Sequence, residues 1–168
     1  MKVVVYLASV ALALVLVSRP FLVVSSSQAQ VDPLIERGRY LVAFGSCNDC
    51  HTPGWRDSDG KTPVAQWMTG SKIGYRGPWG TSYAANVRLE FQSMSEEQWL
   101  FMVRTRGGPW PMVWHDLREL TTSDQRAIYR FIKSLGPRGT QVPGALPPSQ
   151  EPSTPYMWVM PQNPRRHQ

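Results

Sequence analysis

Whatever fold this chain adopts must accommodate Cys47-Asn48-Asp49-Cys50-His51. Two cysteines three positions apart, with a histidine directly after them, form the attachment pattern for c-type haem. The spacing has a chemical reason. Each thiol can add to one vinyl group of the porphyrin, so Cys47 and Cys50 hold the ring by two covalent bonds. His51 is then carried beneath the iron as an axial imidazole ligand. The motif uses both cysteines of the chain.

Other uses of such a pair fit less well. A structural zinc site needs four ligands, and the remaining histidines, His115 and His167, stand isolated or at the C-terminus. A thioredoxin-like redox pair belongs at a strand-to-helix junction, whereas the residues before Cys47 have helical spacing. A plain short disulfide suits an exported protein but leaves His51 unexplained.

The N-terminus reads as an export signal. Lys2 precedes an apolar run, Val3 to Val17, and Ser27-Gln28-Ala29 ends the segment with small residues. Residues 1–29 are therefore expected to be a signal peptide cleaved after Ala29, with an uncleaved anchor as the alternative. The run would reach only about 22 Å as a helix, against a hydrocarbon layer of roughly 30 Å. Loss of Lys2 and Arg19 with the signal reduces the formal charge of +6 to about +4. No basic run interleaved with aromatics suggests nucleic acid. The mild excess reads either as a docking face for an acidic redox partner or as ordinary solubilising charge.

The mature chain suits one domain, residues 30–136, followed by an extension. Asp32-Pro33 is a helix start, and Leu34, Ile35, Gly38, Leu41 and Val42 follow at helical spacing, with Gly45 as the stop. Gly38 would let another helix cross closely. After His51 comes a polar loop, in which Pro53 or Pro63 is a candidate to offer a carbonyl to the second ring nitrogen of His51. Trp67 to Leu89 reads as an aromatic, glycine-broken loop, whose Arg76, Trp79, Tyr83 and Asn86 are candidates for haem packing or propionate bonds, or for plain core. Ser95…Gln98 and Thr122…Gln125 have capping-box form, and the second opens the clearest helix, with Ile128, Phe131, Ile132 and Leu135 on one face and Gly136-Pro137 as its stop. Eight of the fifteen prolines lie from Pro137 onward, so residues 137–168 read as an extended, proline-rich tail. Its apolar stretch Tyr156 to Met160 is expected to pack back on the domain, or else to dock a partner.

The sixth iron position separates the functional classes. Iron with one protein ligand can catalyse or sense a gas, whereas iron with two carries electrons. The candidates are Met68, Met94, Met102, Met112, Met157, Met160 and His115. Met112 ranks first because the loop Gly108-Pro109-Trp110-Pro111 before it is held rigid by two prolines. A thioether there raises the potential, and His115 would instead give a lower-potential bis-histidine site.

The order of helix, Cys47-x-x-Cys50-His51, aromatic glycine-rich loop, capped helix, methionine and final helix resembles class I cytochromes c. Gly38-Arg39-Tyr40-Leu41-Val42, and Pro78-Trp79-Gly80-Thr81-Ser82-Tyr83 with Ala85-Asn86, are similar to the haem domains of bacterial periplasmic cytochromes, including subunits associated with dehydrogenases. This chain departs from them in its single haem motif and in Val113 after the methionine. The resemblance covers roughly residues 34 to 136. It implies an all-α class I cytochrome c fold, three to four helices around covalent haem c, with a Pro-rich C-terminal extension. It also implies a periplasmic electron carrier with His51 and Met112 as ligands, whose partners are a dehydrogenase or an oxidase. A permanent place as a dehydrogenase subunit, and a haem enzyme or gas sensor with an open distal site, are the alternatives.

Overall fold

The computed structural model describes residues 32–108 and 110–162. The expected signal peptide, residues 1–29, lies outside them, as does the Arg165–Gln168 terminus. Among the described residues no helix is long and apolar enough to cross a membrane.

Six α-helices and a three-stranded sheet make up the described chain: α1 (Pro33–Phe44), α2 (Cys47–His51), β1 (Gly74–Gly77), β2 (Gly80–Tyr83), α3 (Val87–Ser93), α4 (Glu96–Thr105), α5 (Trp114–Glu119), α6 (Thr122–Ser134) and β3 (Tyr156–Trp158). The Asp32 carboxylate accepts from the Leu34 N–H at 2.9 Å, and Pro33 fills the first turn, where no N–H is needed. In α4 the capping box is reciprocal: Ser95 Oγ accepts from the Gln98 N–H at 3.2 Å, and Gln98 Oε1 from the Ser95 N–H at 2.8 Å. In α6 the cap is Thr121, one residue earlier than the Thr122 pattern suggests, and it accepts from the Asp124 N–H at 3.1 Å. Gln125 is thereby free to turn inward, where its amide donates to the Leu117 and Leu120 carbonyls.

The core forms where α1 crosses α6. Leu41 and Val42 meet Ala127, Ile128, Phe131 and Ile132, with Trp67, Met68, Phe91, Trp99, Leu100 and Val103 closing around them. Gly38 is the contact point. A Cβ there would lie 1.9 Å from the Ala127 carbonyl oxygen and 2.7 Å from Phe131 Cβ, so no side chain fits unless the helices part. Arg88 ties this pair to the loop before β1. Its buried guanidinium donates to the Gly136 carbonyl at 2.6 Å, to the Leu135 carbonyl, and to the Ala65 carbonyl at 2.7 Å. The partial negative charge at the α6 C-terminus offsets the burial of that cation, and burial pushes the Arg88 pKa down.

The sheet was not legible in the sequence. β1 and β2 form an antiparallel hairpin, with Gly74 opposite Tyr83 and Gly77 opposite Gly80. The tail supplies β3, parallel to β1, with Tyr75 opposite Met157. Each strand has only three or four residues, and glycine or an exposed aromatic replaces the usual apolar alternation, so periodicity gave no signal. α3 and α5 are likewise too short for a periodic reading.

Gly38→Ala is expected to force α1 from α6 and cost about 1–3 kcal/mol or more. Denaturant unfolding checks this, and an unchanged midpoint would contradict the crossing.

Candidate haem-attachment site

α2 is a helix of a little over one turn, so its residues at i, i+3 and i+4 share a face. Cys47, Cys50 and His51 occupy these positions. The helix follows α1 through Gly45, whose N–H bonds the Leu41 carbonyl at 2.8 Å, and through Ser46 at φ 56°. That left-handed residue turns the chain sharply and brings Cys47 against the core.

Both thiols are free and half-buried. Burial raises the Cys47 thiol to about 11, so it is held as a neutral thiol rather than a charged thiolate. Tyr75 of β1 lies beside Cys50, and burial together with that thiol raises the phenol well above its usual range.

His51 has one committed ring nitrogen. Its Nδ1 lies 2.8 Å from the Ala85 carbonyl oxygen. As a carbonyl can only accept, Nδ1 carries the proton and Nε2 keeps its lone pair. Burial pushes the imidazole pKa down, and the Ala85 bond partly restores it. Both the tautomer and the neutral state suit an iron ligand at Nε2. The carbonyl is not that of Pro53 or Pro63, as the local sequence suggested. The acceptor is instead the carbonyl of residue 85, thirty-four positions on. A backbone acceptor has no side-chain signature. The only sequence signal beside it was Asn86, an α3 cap whose side chain accepts from the Leu89 N–H.

A buried relay fixes the rest of α2. Thr52 Oγ1 donates to Asn48 Oδ1 at 2.6 Å and accepts from the Met68 N–H at 2.9 Å. The His51 carbonyl accepts from the Gly70 N–H at 2.8 Å. Sequence reasoning missed this relay, since Asn48 fills a variable position inside the motif and Thr52 follows it, and neither matches a pattern.

The candidates for the sixth position are dispersed. Met112 is half-buried in the loop between α4 and α5, immediately before Val113, the α5 cap. It comes from a different element than the attachment turn. His115 is exposed on α5 and pairs with Asp116 at 3.1 Å. Met68 is buried in the core. Met94 and Met102 pack at the core's edge, and Met102 Sδ accepts from Arg106. Met157 and Met160 are exposed in the tail. Of the side chains considered for propionate bonds, Arg76, Tyr83 and Asn86 are all bonded within the protein. The Trp79 indole N–H is buried without a partner among the described residues.

The donor set fits haem c. Two unpaired thiols and an imidazole with a free Nε2 share one helix face, and the other imidazole nitrogen is already satisfied.

The chain is 31% identical over 121 residues to the gluconate 2-dehydrogenase cytochrome c subunit of Pantoea cypripedii, covering 64% of this chain. It spans 27% of the length of that relative. No family model matches the chain, and no solved structure matches it.

Thr52→Val should unlink α2 from Met68 and cost about 1–3 kcal/mol, because it strands the Met68 N–H in the interior. Thermal unfolding of the haem-free chain measures the loss, and a cost near zero would refute the relay.

Proposed function

We propose that this chain, a relative of a dehydrogenase cytochrome c subunit, is a monohaem c-type cytochrome that passes single electrons in a periplasm. Cys47 and Cys50 anchor the haem, His51 is the proximal ligand and Met112 the distal one. In this reading residues 30–136 adopt a class I cytochrome c fold, and residues 137–168 are an added extension. The observation that carries the reading is the His51 ring, with Nδ1 bonded to the Ala85 carbonyl at 2.8 Å on the same helix face as the two free thiols.

When bound, haem c supplies a one-electron iron couple. The protein does the rest. The Ala85 carbonyl fixes the tautomer and plane of His51 and makes Nε2 a stronger donor. Met112 offers a soft thioether that favours the reduced state and raises the potential. The core behind Cys47, including Val42, Trp67 and Phe131, backs the attachment turn with apolar surface.

A second reading makes the chain an electron-accepting subunit of a dehydrogenase complex. The relative's name supports it, and so does the apolar edge at Tyr156, Met157, Trp158 and Met160, each 41–47% exposed. Copurification of a larger enzyme from native extracts would favour this reading, and an isolated monomer would reject it.

Met112→Ala is expected to lose the weak near-infrared sulfur-to-iron band of the ferric protein and to lower the potential. Absorption spectra of the oxidised and reduced protein, with a redox titration, test this. A band that survives the substitution overturns the Met112 assignment. Rapid carbon monoxide binding by the unaltered protein would favour an open distal site, and hence a catalyst or sensor.

A further inference from the structure

The tail grips the hairpin and the residues on either side of it at several points, and they flank the one carbonyl that orients His51. The first lies directly after α6. Asn86 Nδ2 donates to the Arg138 carbonyl at 2.8 Å and to the Thr140 carbonyl at 3.1 Å. Val142 packs so closely that a Cβ on Gly70 would lie 2.6 Å from Val142 Cγ1 and 2.9 Å from the Ala85 carbonyl carbon. The second is on the outer edge of β2, where Thr81 and Leu146 exchange two backbone hydrogen bonds of 2.9 Å. The third is a clasp. The Arg76 side chain, only 9% exposed, donates to the Gln150 carbonyl at 2.8 Å, the Pro148 carbonyl at 3.2 Å and Glu151 Oε1 at 2.7 Å. Beyond it, Tyr83 Oη bonds Thr154 Oγ1 at 2.9 Å, and β3 pairs with β1.

Ala85 therefore sits between Asn86, held by the start of the tail, and Tyr83, held by its later part. Its neighbour Ala84 accepts from the Ser71 N–H at 2.9 Å, directly after Gly70, whose N–H bonds the His51 carbonyl. A chain segment tied on both sides cannot drift from the imidazole. We propose that the proline-rich tail is a positioning brace for the iron ligand: through Asn86 and Arg76 it holds the Ala85 carbonyl against His51 Nδ1 and so sets the reduction potential. This rests on the reading of His51 as the proximal ligand. The sign follows from the acceptor. A carbonyl held close draws on the Nδ1 proton and enriches Nε2, which favours the oxidised iron. Releasing the brace weakens that pull and shifts the potential upward. Proline suits a brace, because its fixed φ lowers the entropy lost when the tail is ordered.

The test uses the full-length, haem-loaded protein. Asn86→Ser keeps an α3 cap acceptor without adding charge but removes the amide that donates to the Arg138 and Thr140 carbonyls. Arg76→Lys keeps the positive charge but removes the guanidinium that spans the Gln150, Pro148 and Glu151 acceptors. Each is expected to give a more positive midpoint potential in a redox titration and an upfield shift of the His51 Nδ1 proton in the NMR spectrum of the reduced protein. Arg76→Gln also removes a positive charge, which by itself lowers the potential, so it is read on the Nδ1 proton alone and should shift it at least as far as Arg76→Lys. A lower melting temperature alone would accompany any structural damage, whereas the potential and the Nδ1 proton report the bond itself. A potential that does not rise and a wild-type Nδ1 proton in Asn86→Ser and Arg76→Lys overturn the brace. An unaltered protein that carries no covalent haem overturns the electron-carrier reading instead, before any variant is compared.

Discussion

The hydrogen bond from His51 Nδ1 to the Ala85 carbonyl is the constraint on which the site depends. It decides which imidazole nitrogen is a donor and which is left with a lone pair. It also joins a short helix to a loop thirty-four residues away. Around it, Gly70 binds the His51 carbonyl, Thr52 links Asn48 to the Met68 backbone, and Asn86 caps α3 while bonding the first residues of the tail. These bonds connect parts of the chain that are far apart in sequence. The geometry near the motif is therefore set by polar groups, and the position of α2 by the core.

That core is a helix crossing made possible by one absent side chain. Gly38 lets the α1 backbone rest on the Ala127 carbonyl. Leu41 and Val42 then reach Phe131 and Ile132. Cys47 follows three residues after α1 ends, so α2 inherits its place from this crossing. The buried Arg88 fastens the α6 C-terminus to the Ala65 carbonyl, which keeps the loop before β1 against the same pair of helices.

The tail has a different logic. Its residues bury little apolar surface, and Tyr156, Met157 and Trp158 remain largely exposed. Backbone pairing and one buried arginine hold it instead. Arg76 has a single carboxylate partner, Glu151, which is itself exposed, so the carbonyls of Pro148 and Gln150 complete the coordination of its guanidinium. The sequence marked this stretch as extended and apolar near its end, but not as a strand. The pairing partner, β1, carries three consecutive residues, Gly74 to Arg76, that show no apolar alternation.

Local chemistry was legible wherever it depended on spacing. Cysteines and a histidine at i, i+3 and i+4 share a face of any helix that holds them. Asp32 before Pro33, Ser95 before Gln98, and glycine at the α1 crossing announced themselves, because caps and close approach demand particular side chains. What the sequence could not express was the partner of each backbone group. The carbonyl facing His51, the N–H groups on the Thr52 relay and the register of β3 belong to atoms that every residue possesses. Only the tertiary structure selects among them, since selection there comes from which loops the packed helices bring together and not from the identity of the residue.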